Sequence, residues 1–381
     1  MGTRTVLIAS NSVWSLVNFR QGLIKALIAK GYDVVALAPR DEHVQRLTQL
    51  GCRYAPLPMD NKGTSPLEDF VLLARFLRLI RQERPVIFLG YTIKPNIYGS
   101  LAARALGIPA INMISGLGTA FIRGGWLQAV VHRLYALSLK RSSRVFFLND
   151  DDRMLFVDHG LVQHEQAVLL PGEGIDLAQF RPVTGDRDGD NEFRFLLAAR
   201  LLWDKGVREY IEAAGIVRSK HPRVRFQLLG FLDVENRTAI DRQTVEGWVG
   251  EGVAEYLGAT DDVRPFLAAA DCVVLPSYRE GTSRILLEAA AMARPIIATD
   301  VPGCREVVDD GVNGFLCRVR DAENLAEKML QMIALHAEQR AAFGLAGRRK
   351  VEVEFDEKIV IERYLEAIDS ALSFSAHPRP R

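Results

Sequence analysis

Four side chains in the second half of the sequence have the types and spacing to hold a phosphate-ended ligand: Arg200, Lys205, Glu280 and Glu288. Guanidinium and ammonium groups neutralise phosphate oxygens, while carboxylates accept hydrogen bonds from hydroxyls. Residues 271–300, DCVVLPSYREGTSRILLEAAAMARPIIATD, read as strand, turn, helix and strand. The apolar run 272–275 suits a strand buried on both faces, and Pro276 stops it. Residues 277–282 have turn chemistry, with Gly281 able to take a positive φ. Thr282 or Ser283 can cap a helix that carries Ile285, Leu286, Ala289, Ala290 and Ala293. That helix points its N–H groups beyond the strand end, where open parallel sheets bind ligands and where a helix N-terminus favours phosphate. In AARLLWDKGVREYIEAA, Arg200 falls at the carboxyl end of another strand and Lys205 just before the next helix, so the two cations converge on the same edge.

Each group has a plainer use. Arg284 and Glu288 are four apart on a helix and suit a surface pair contributing a few tenths of a kcal/mol, roughly. Glu280 complements a helix dipole, and Arg200 and Lys205 can pair with Asp204 or Glu209. All four at carboxyl ends of strands in one sheet favour a ligand site.

The elements that position these groups come from an alternating chain. Strand-like segments fall at 5–10, 33–38, 86–90, 109–114, 144–148 and 167–170, with helices at 16–30, 96–106 and between. After Phe180 the sequence RPVTGDRDGDN is rich in Gly and Asp, and a second series of strands follows at 193–199, 224–229, 253–257, 272–275 and 295–299. Alternation of this kind gives doubly wound parallel sheets. The expected architecture is therefore α/β, two Rossmann-like domains facing across a cleft. They comprise 1–180, a linker at 181–191, then 192–355, and a final helix at 356–372 that can cross back to the first domain. The last helix carries Ile361, Tyr364, Leu365, Ile368 and Leu372 on one face.

Composition excludes several classes. A length of 381 residues suits two cored domains, and a net charge of +1 with 25% charged residues argues against a dedicated nucleic-acid binder. Cys52, Cys272, Cys304 and Cys317 show no C-x-x-C spacing, which points to a reducing cytosol rather than to zinc or a disulfide framework. The first strand starts within a few residues of the N-terminus, leaving no signal peptide, and no apolar run approaches the ~20 residues that span a bilayer. A cytoplasmic protein, at most peripheral to the membrane, is expected. SNSVWSLVNFR, after the first strand, contains no G-x-G-x-x-G, so a nicotinamide oxidoreductase is not indicated. A non-hydrolysing sugar-nucleotide epimerase would need carboxylates and a histidine lining the cleft, and a pure binding protein would not need Arg200, Lys205 and Glu280 together.

Arg200-x4-Lys205, then Glu280-x7-Glu288 and the trailing PIIATDVPGCRE of 295–306, together resemble the retaining nucleotide-sugar glycosyltransferases of family 4, which have the GT-B fold. The resemblance covers nearly the whole chain. GYTIKPNIYGSLAARALGIPAINMISGLGTAFI, FFLNDDDRMLF and LLPGEGIDLAQF are most similar to bacterial enzymes that build lipid-linked glycans, N-acetylgalactosaminyltransferases above all. It implies a UDP-sugar donor, a polyprenyl-diphosphate-linked acceptor and no metal or other cofactor. Arg200 and Lys205 would meet charge growing on the leaving diphosphate, with Glu280 on donor-sugar hydroxyls and Glu288 on the ribose. Thr282, Ser283 and Arg284 would add donors to the phosphates, and Gly258, at a strand end, would help hold the base.

The acceptor side falls to the first half, with candidates Asn18, Arg20, Lys94, Ser115 and Gly116. Lys94 and Arg20 suit an acceptor diphosphate, or ordinary surface charge. The chain departs from the family in lacking paired glycines in its first loop and in placing Ser115-Gly116-Leu117-Gly118 where many members have a histidine. Ala293 stands where a helix-ending glycine is usual. Asp188-x-Asp190 matches a metal-type D-x-D but falls in the linker. The segment 126–144 combines Leu127, Val130, Val131 and Leu134 with Arg133, Lys140, Arg141 and Arg144, which suits either an anionic membrane surface or a core-packed helix with a wet basic face.

Overall fold

The computed structural model describes residues 4–60, 65–116, 126–183, 192–232, 236 and 238–376. The chain divides into two compact units, one of Met1–Glu173 with Glu357–Arg381, the other of Gly174–Asp356. Ile175 and Phe180 are buried in the core of the second unit, so the change of unit comes before 180. Residues 184–191 of the expected linker, with Asp188 and Asp190, lie outside the described residues.

The first unit is built on β1 (Arg4–Ala9), β2 (Tyr32–Ala38), β3 (Arg53–Pro56), β4 (Ile87–Tyr91), β5 (Ala110–Ile114), β6 (Arg144–Phe147) and β7 (Ala167–Leu169). They form one sheet in the order β3-β2-β1-β4-β5-β6-β7, every pair parallel. Val6 to Ala9 and all of β4 and β5 are buried, as strands covered on both faces must be. One face carries Leu16, Leu23, Ile24 and Leu27, together with Val360, Tyr364 and Ile368 of the Glu357–Ala376 helix. The opposite face carries Leu72, Phe76 and Ile80 of the Pro66–Glu83 helix with Tyr135 and Leu139 of the Trp126–Leu139 helix.

Two expected elements differ. The helix expected at 16–30 is two helices, Val13–Phe19 and Gln21–Ala29, because Arg20 leaves helical geometry at φ −126° and ψ 5°. The helix expected at 96–106 opens as a π turn, Pro95–Gly99, before the Ser100–Ala105 helix. Asn96 in that turn is buried and satisfied: it accepts from Asn112 Nδ2 at 3.0 Å and donates to the Met113 carbonyl at 2.8 Å.

The second unit has β8 (Arg194–Ala198), β9 (Arg225–Leu229), β10 (Glu255–Tyr256), β11 (Cys272–Leu275), β12 (Ile296–Thr299) and β13 (Gly314–Cys317). Their order is β10-β9-β8-β11-β12-β13, again all parallel. β3 and β13 are the strands that the sequence pattern missed, since neither is a continuous buried apolar run.

Candidate active site

The strand order of the second unit reverses between β8 and β11, where crossovers leave in opposite directions and open a crevice at the carboxyl edge. Arg200 follows β8 and Glu280 follows β11, so they flank that switch point. Lys205 ends a short 3₁₀ turn, Trp203–Lys205, and its Nζ lies 2.5 Å from Glu280 Oε1, with both side chains largely buried. Arg200 is exposed, and among the described residues its guanidinium has no hydrogen bond or ion pair. The structure thus joins Lys205 and Glu280 to each other and leaves Arg200 exposed at the same carboxyl edge of the sheet. The alternative pairings of Arg200 and Lys205 with Asp204 or Glu209 do not form.

Two glycines make this convergence possible. Gly206 has φ +72°, and a Cβ there would fall 2.0 Å from the Pro276 carbonyl oxygen, so the Lys205 turn lies directly against the end of β11. Gly303 has φ +82°, and its Cβ would fall 2.6 Å from the Glu280 backbone. The 276–283 loop is clamped from both sides: Tyr278 N donates to Asp204 O at 2.9 Å, Glu280 N to Pro302 O at 3.1 Å and Ser283 N to Gly303 O at 2.9 Å. Thr299 Oγ1 donates to the Ser277 carbonyl, and Tyr278 Oη donates to Glu209 Oε1 at 2.8 Å. Burial beside Glu209 pushes the Tyr278 phenol up to about 12, which keeps it a donor. Sequence reasoning missed Gly206, Gly303 and Tyr278, and offered Glu209 as a partner for Arg200 or Lys205 rather than for Tyr278. The D-K-G and V-P-G tripeptides were the legible turn signals for the two glycines.

The Arg284–Ala291 helix begins after Ser283, whose side chain makes no capping bond; its backbone N–H carries the anchor to Gly303 instead. Thr282 sits in the same clamped turn. The Arg284 side chain forms the i,i+4 pair with Glu288 that the spacing allowed. Its Nε pairs with Glu288 Oε1 at 2.9 Å, and its Nη1 donates to Gly174 O at 2.7 Å. Burial raises the Glu288 carboxyl above its ordinary value against the pull of Arg284. Further along the edge, Gly258 has φ +81° and its carbonyl accepts from Gly230 N at 2.8 Å, while Tyr256 Oη donates to Gly230 O at 2.9 Å.

The candidates of the first unit follow the carboxyl ends of the neighbouring strands β1, β4 and β5. Asn18 is half-buried on the Val13–Phe19 helix after β1, and Ser115 and Gly116 follow β5. Leu117 and Gly118 lie outside the described residues. Arg20 is not a surface cation: it is 6% exposed, its Nη2 pairs with Glu173 Oε1 at 2.7 Å, and its guanidinium lies 4.4 Å from the Tyr91 ring centre. Burial alone would lower its pKa, and Glu173 and Tyr91 more than offset that, leaving it raised. Lys94 pairs with Asp69 at 2.9 Å. An acceptor diphosphate at Arg20 would have to exchange its Glu173 counter-ion, so Arg20 is a buried, paired cation rather than ordinary surface charge. In the Trp126–Leu139 helix, Val131 and Leu134 pack on the core while Val130, Arg133 and Leu137 face out. The Leu127 side chain is outside the description.

Two parallel α/β units, the second with a cation-and-carboxylate cluster at its switch point, define a GT-B glycosyltransferase. The family model described as "Glycosyl transferase 4-like domain" matches residues 17–172, and that described as "Glycosyl transferases group 1" matches residues 192–334. The chain belongs to the family 4 glycosyltransferases. It is 28% identical to the Campylobacter jejuni N,N'-diacetylbacillosaminyl-diphospho-undecaprenol alpha-1,3-N-acetylgalactosaminyltransferase, over 94% of this chain and 96% of the relative. It is 24% identical to the Escherichia coli UDP-Gal:alpha-D-GlcNAc-diphosphoundecaprenol alpha-1,3-galactosyltransferase, over 71% and 72%. The structure of Anabaena HepE in complex with UDP-glucose shares the fold with TM-score 0.79 at 18% identity, covering 96% of this chain and 99% of that one.

Proposed function

We propose that this glycosyltransferase moves an N-acetylhexosamine, such as GalNAc, with retention from a UDP-sugar to an undecaprenyl-diphosphate-linked saccharide in bacterial surface-glycan or glycoprotein-glycan assembly. The observation that carries this reading is the Lys205–Glu280 pair with the exposed Arg200 at the same carboxyl edge of the sheet, in a chain alignable end to end with a relative of that named activity. The donor diphosphate takes the position between Arg200 and Lys205. As the bond from the sugar to phosphate breaks, these cations meet the growing negative charge, so no metal is required. Glu280 holds donor-sugar hydroxyls, and Glu288 accepts from the ribose. The acceptor hydroxyl attacks from the face the diphosphate leaves, its oxygen forms the new glycosidic bond, and its proton passes to the departing phosphate oxygen. Among the described residues no helix is long and apolar enough to cross a membrane, so the acceptor would be met at the cytoplasmic membrane surface.

A nucleotide panel tests the donor. UDP should raise the thermal midpoint, by an amount equivalent to about 2.7 kcal/mol at a hundredfold excess over Kd, and GDP or ADP should not. Transfer from UDP-GalNAc to a lipid-diphosphate saccharide, followed by mass spectrometry, should continue at the same initial rate with chelator present. Stabilisation by a different nucleotide sinks the UDP reading, and a divalent-metal requirement sinks the charge assignment.

A further inference from the structure

We infer that the outer face of the Pro66–Glu83 helix is a docking surface for an anionic lipid bilayer; the choice of a bilayer as occupant rests on the lipid-linked acceptor proposed above. The helix is apolar on two sides. Leu72, Phe76 and Ile80, four apart, are buried in the core of the first unit. Leu67, Phe70 and Val71 stand on the opposite side, 80%, 71% and 46% exposed, and Ala74 completes the same stripe. A helix that only packs against a sheet carries polar residues outside, so inward packing does not account for this second stripe.

Charge selects the partner. Past the apolar turns the same outer face continues into Arg75, Arg78 and Arg81, all exposed. Arg75 donates to the Pro58 carbonyl at 2.6 Å, whereas Arg78 and Arg81 have no partner among the described residues. The acids of the helix mostly point elsewhere: Asp69 pairs with Lys94, Glu83 with Arg53, and Glu68 alone is exposed at the edge of the face. Large apolar side chains at one end with unpaired guanidinium groups at the other suit a helix lying in the lipid interface, with Leu67 and Phe70 among acyl chains and the arginines on headgroup phosphates. The Trp126–Leu139 helix covers the same face of the sheet and shows Arg133 outward, followed by exposed Lys140 and Arg141. The Asp69–Lys94 pair ties the turn that carries Phe70 to the carboxyl end of β4.

The test uses the full chain and flotation with vesicles of phosphatidylglycerol and phosphatidylcholine, or of phosphatidylcholine alone. Binding should require the anionic lipid and fall steeply as salt rises. The double variants Leu67→Ser with Phe70→Ser, and Arg78→Glu with Arg81→Glu, should each lower partition roughly tenfold or more while keeping the wild-type melting temperature. Val353→Ser, at a residue of the second unit that is 75% exposed, should change nothing. Equal binding to neutral and anionic vesicles overturns the inference, as does wild-type binding by both double variants. Absence of vesicle binding in a protein that UDP still stabilises overturns the surface and leaves the donor reading standing. Binding through this helix in a protein that no nucleotide stabilises supports the surface and sinks the donor reading. A concentration-dependent dimer that Leu67→Ser with Phe70→Ser dissolves, without vesicle binding, assigns the face to a second copy and overturns the inference.

Discussion

At the scale of single residues, the site in the second unit is held in a self-satisfied state, with Lys205 on Glu280 and Arg284 on Glu288. On the proposed function, a diphosphate entering beside Arg200 would exchange the Lys205 carboxylate partner for phosphate oxygens whose charge grows toward the transition state. Removing Lys205 or Arg200 should therefore cost turnover more than donor affinity. For Lys205→Ala and Arg200→Ala we expect kcat to fall at least about tenfold, with a smaller rise in donor KM. Steady-state kinetics with varied donor decide it, and a change confined to KM refutes the assignment. Residue type and spacing made these four groups legible. Spacing did not show that Arg284 is committed to Glu288, because a turn of helix between two residues is compatible with pairing or with facing a ligand. Ala293 was legible in the same partial way: the sequence marked it as a non-glycine at a helix end, and the structure gives it φ +55°. The first unit was least legible. Arg20 looks like a loop cation until the fold places Glu173, more than a hundred residues later, against it.

At the scale of elements, the position of Glu280 is set by the loops that clamp it, through Glu280 N to Pro302 O and Ser283 N to Gly303 O. Gly303 allows the turn after β12 to touch the Glu280 backbone, and any side chain there forces the two loops apart. A shift of about 1 Å in a group aligned on a reacting centre costs roughly 100-fold in rate. We expect Gly303→Ala to keep the far-ultraviolet circular dichroism of the wild type and to lose kcat by about that factor. Wild-type turnover in Gly303→Ala would show that the loop has room to adjust. Strong alternation located most strands, because buried parallel strands are continuous apolar runs bounded by turn residues. β3 and β13 escaped because their side chains are half-exposed or mixed, so their identity as strands comes from pairing with β2 and β12 rather than from local pattern. The break at Arg20 escaped for a related reason: Leu16, Leu23, Ile24 and Leu27 keep a helical period across it, and the Glu173 that pairs with Arg20 at the break is far away in sequence.

At the scale of the whole molecule, the chain leaves its first unit at Glu173 and returns to it at Glu357, so the last helix is part of a core begun more than three hundred residues earlier. Its Val360, Tyr364, Ala367, Ile368 and Ala371 are buried there, with the Tyr364 ring 4.7 Å from Phe146 and 6.1 Å from Tyr91. Burying a Val, an Ile and a Tyr contributes on the order of 5 kcal/mol, against a total stability of about 5–15 kcal/mol for a domain. A chain stopped after Asp356 should therefore lose the first unit while the second, which keeps both of its own cores, stays folded. Limited trypsin digestion should degrade the region before Gly174 and spare a fragment beginning near it. Calorimetry should show one remaining transition, and UDP should still raise its midpoint because Arg200, Lys205, Glu280 and Glu288 all lie in the surviving unit. Protection of the first unit equal to that of the intact chain would mean the helix is dispensable to its core. Simultaneous loss of both units would mean that the second unit does not fold without the first.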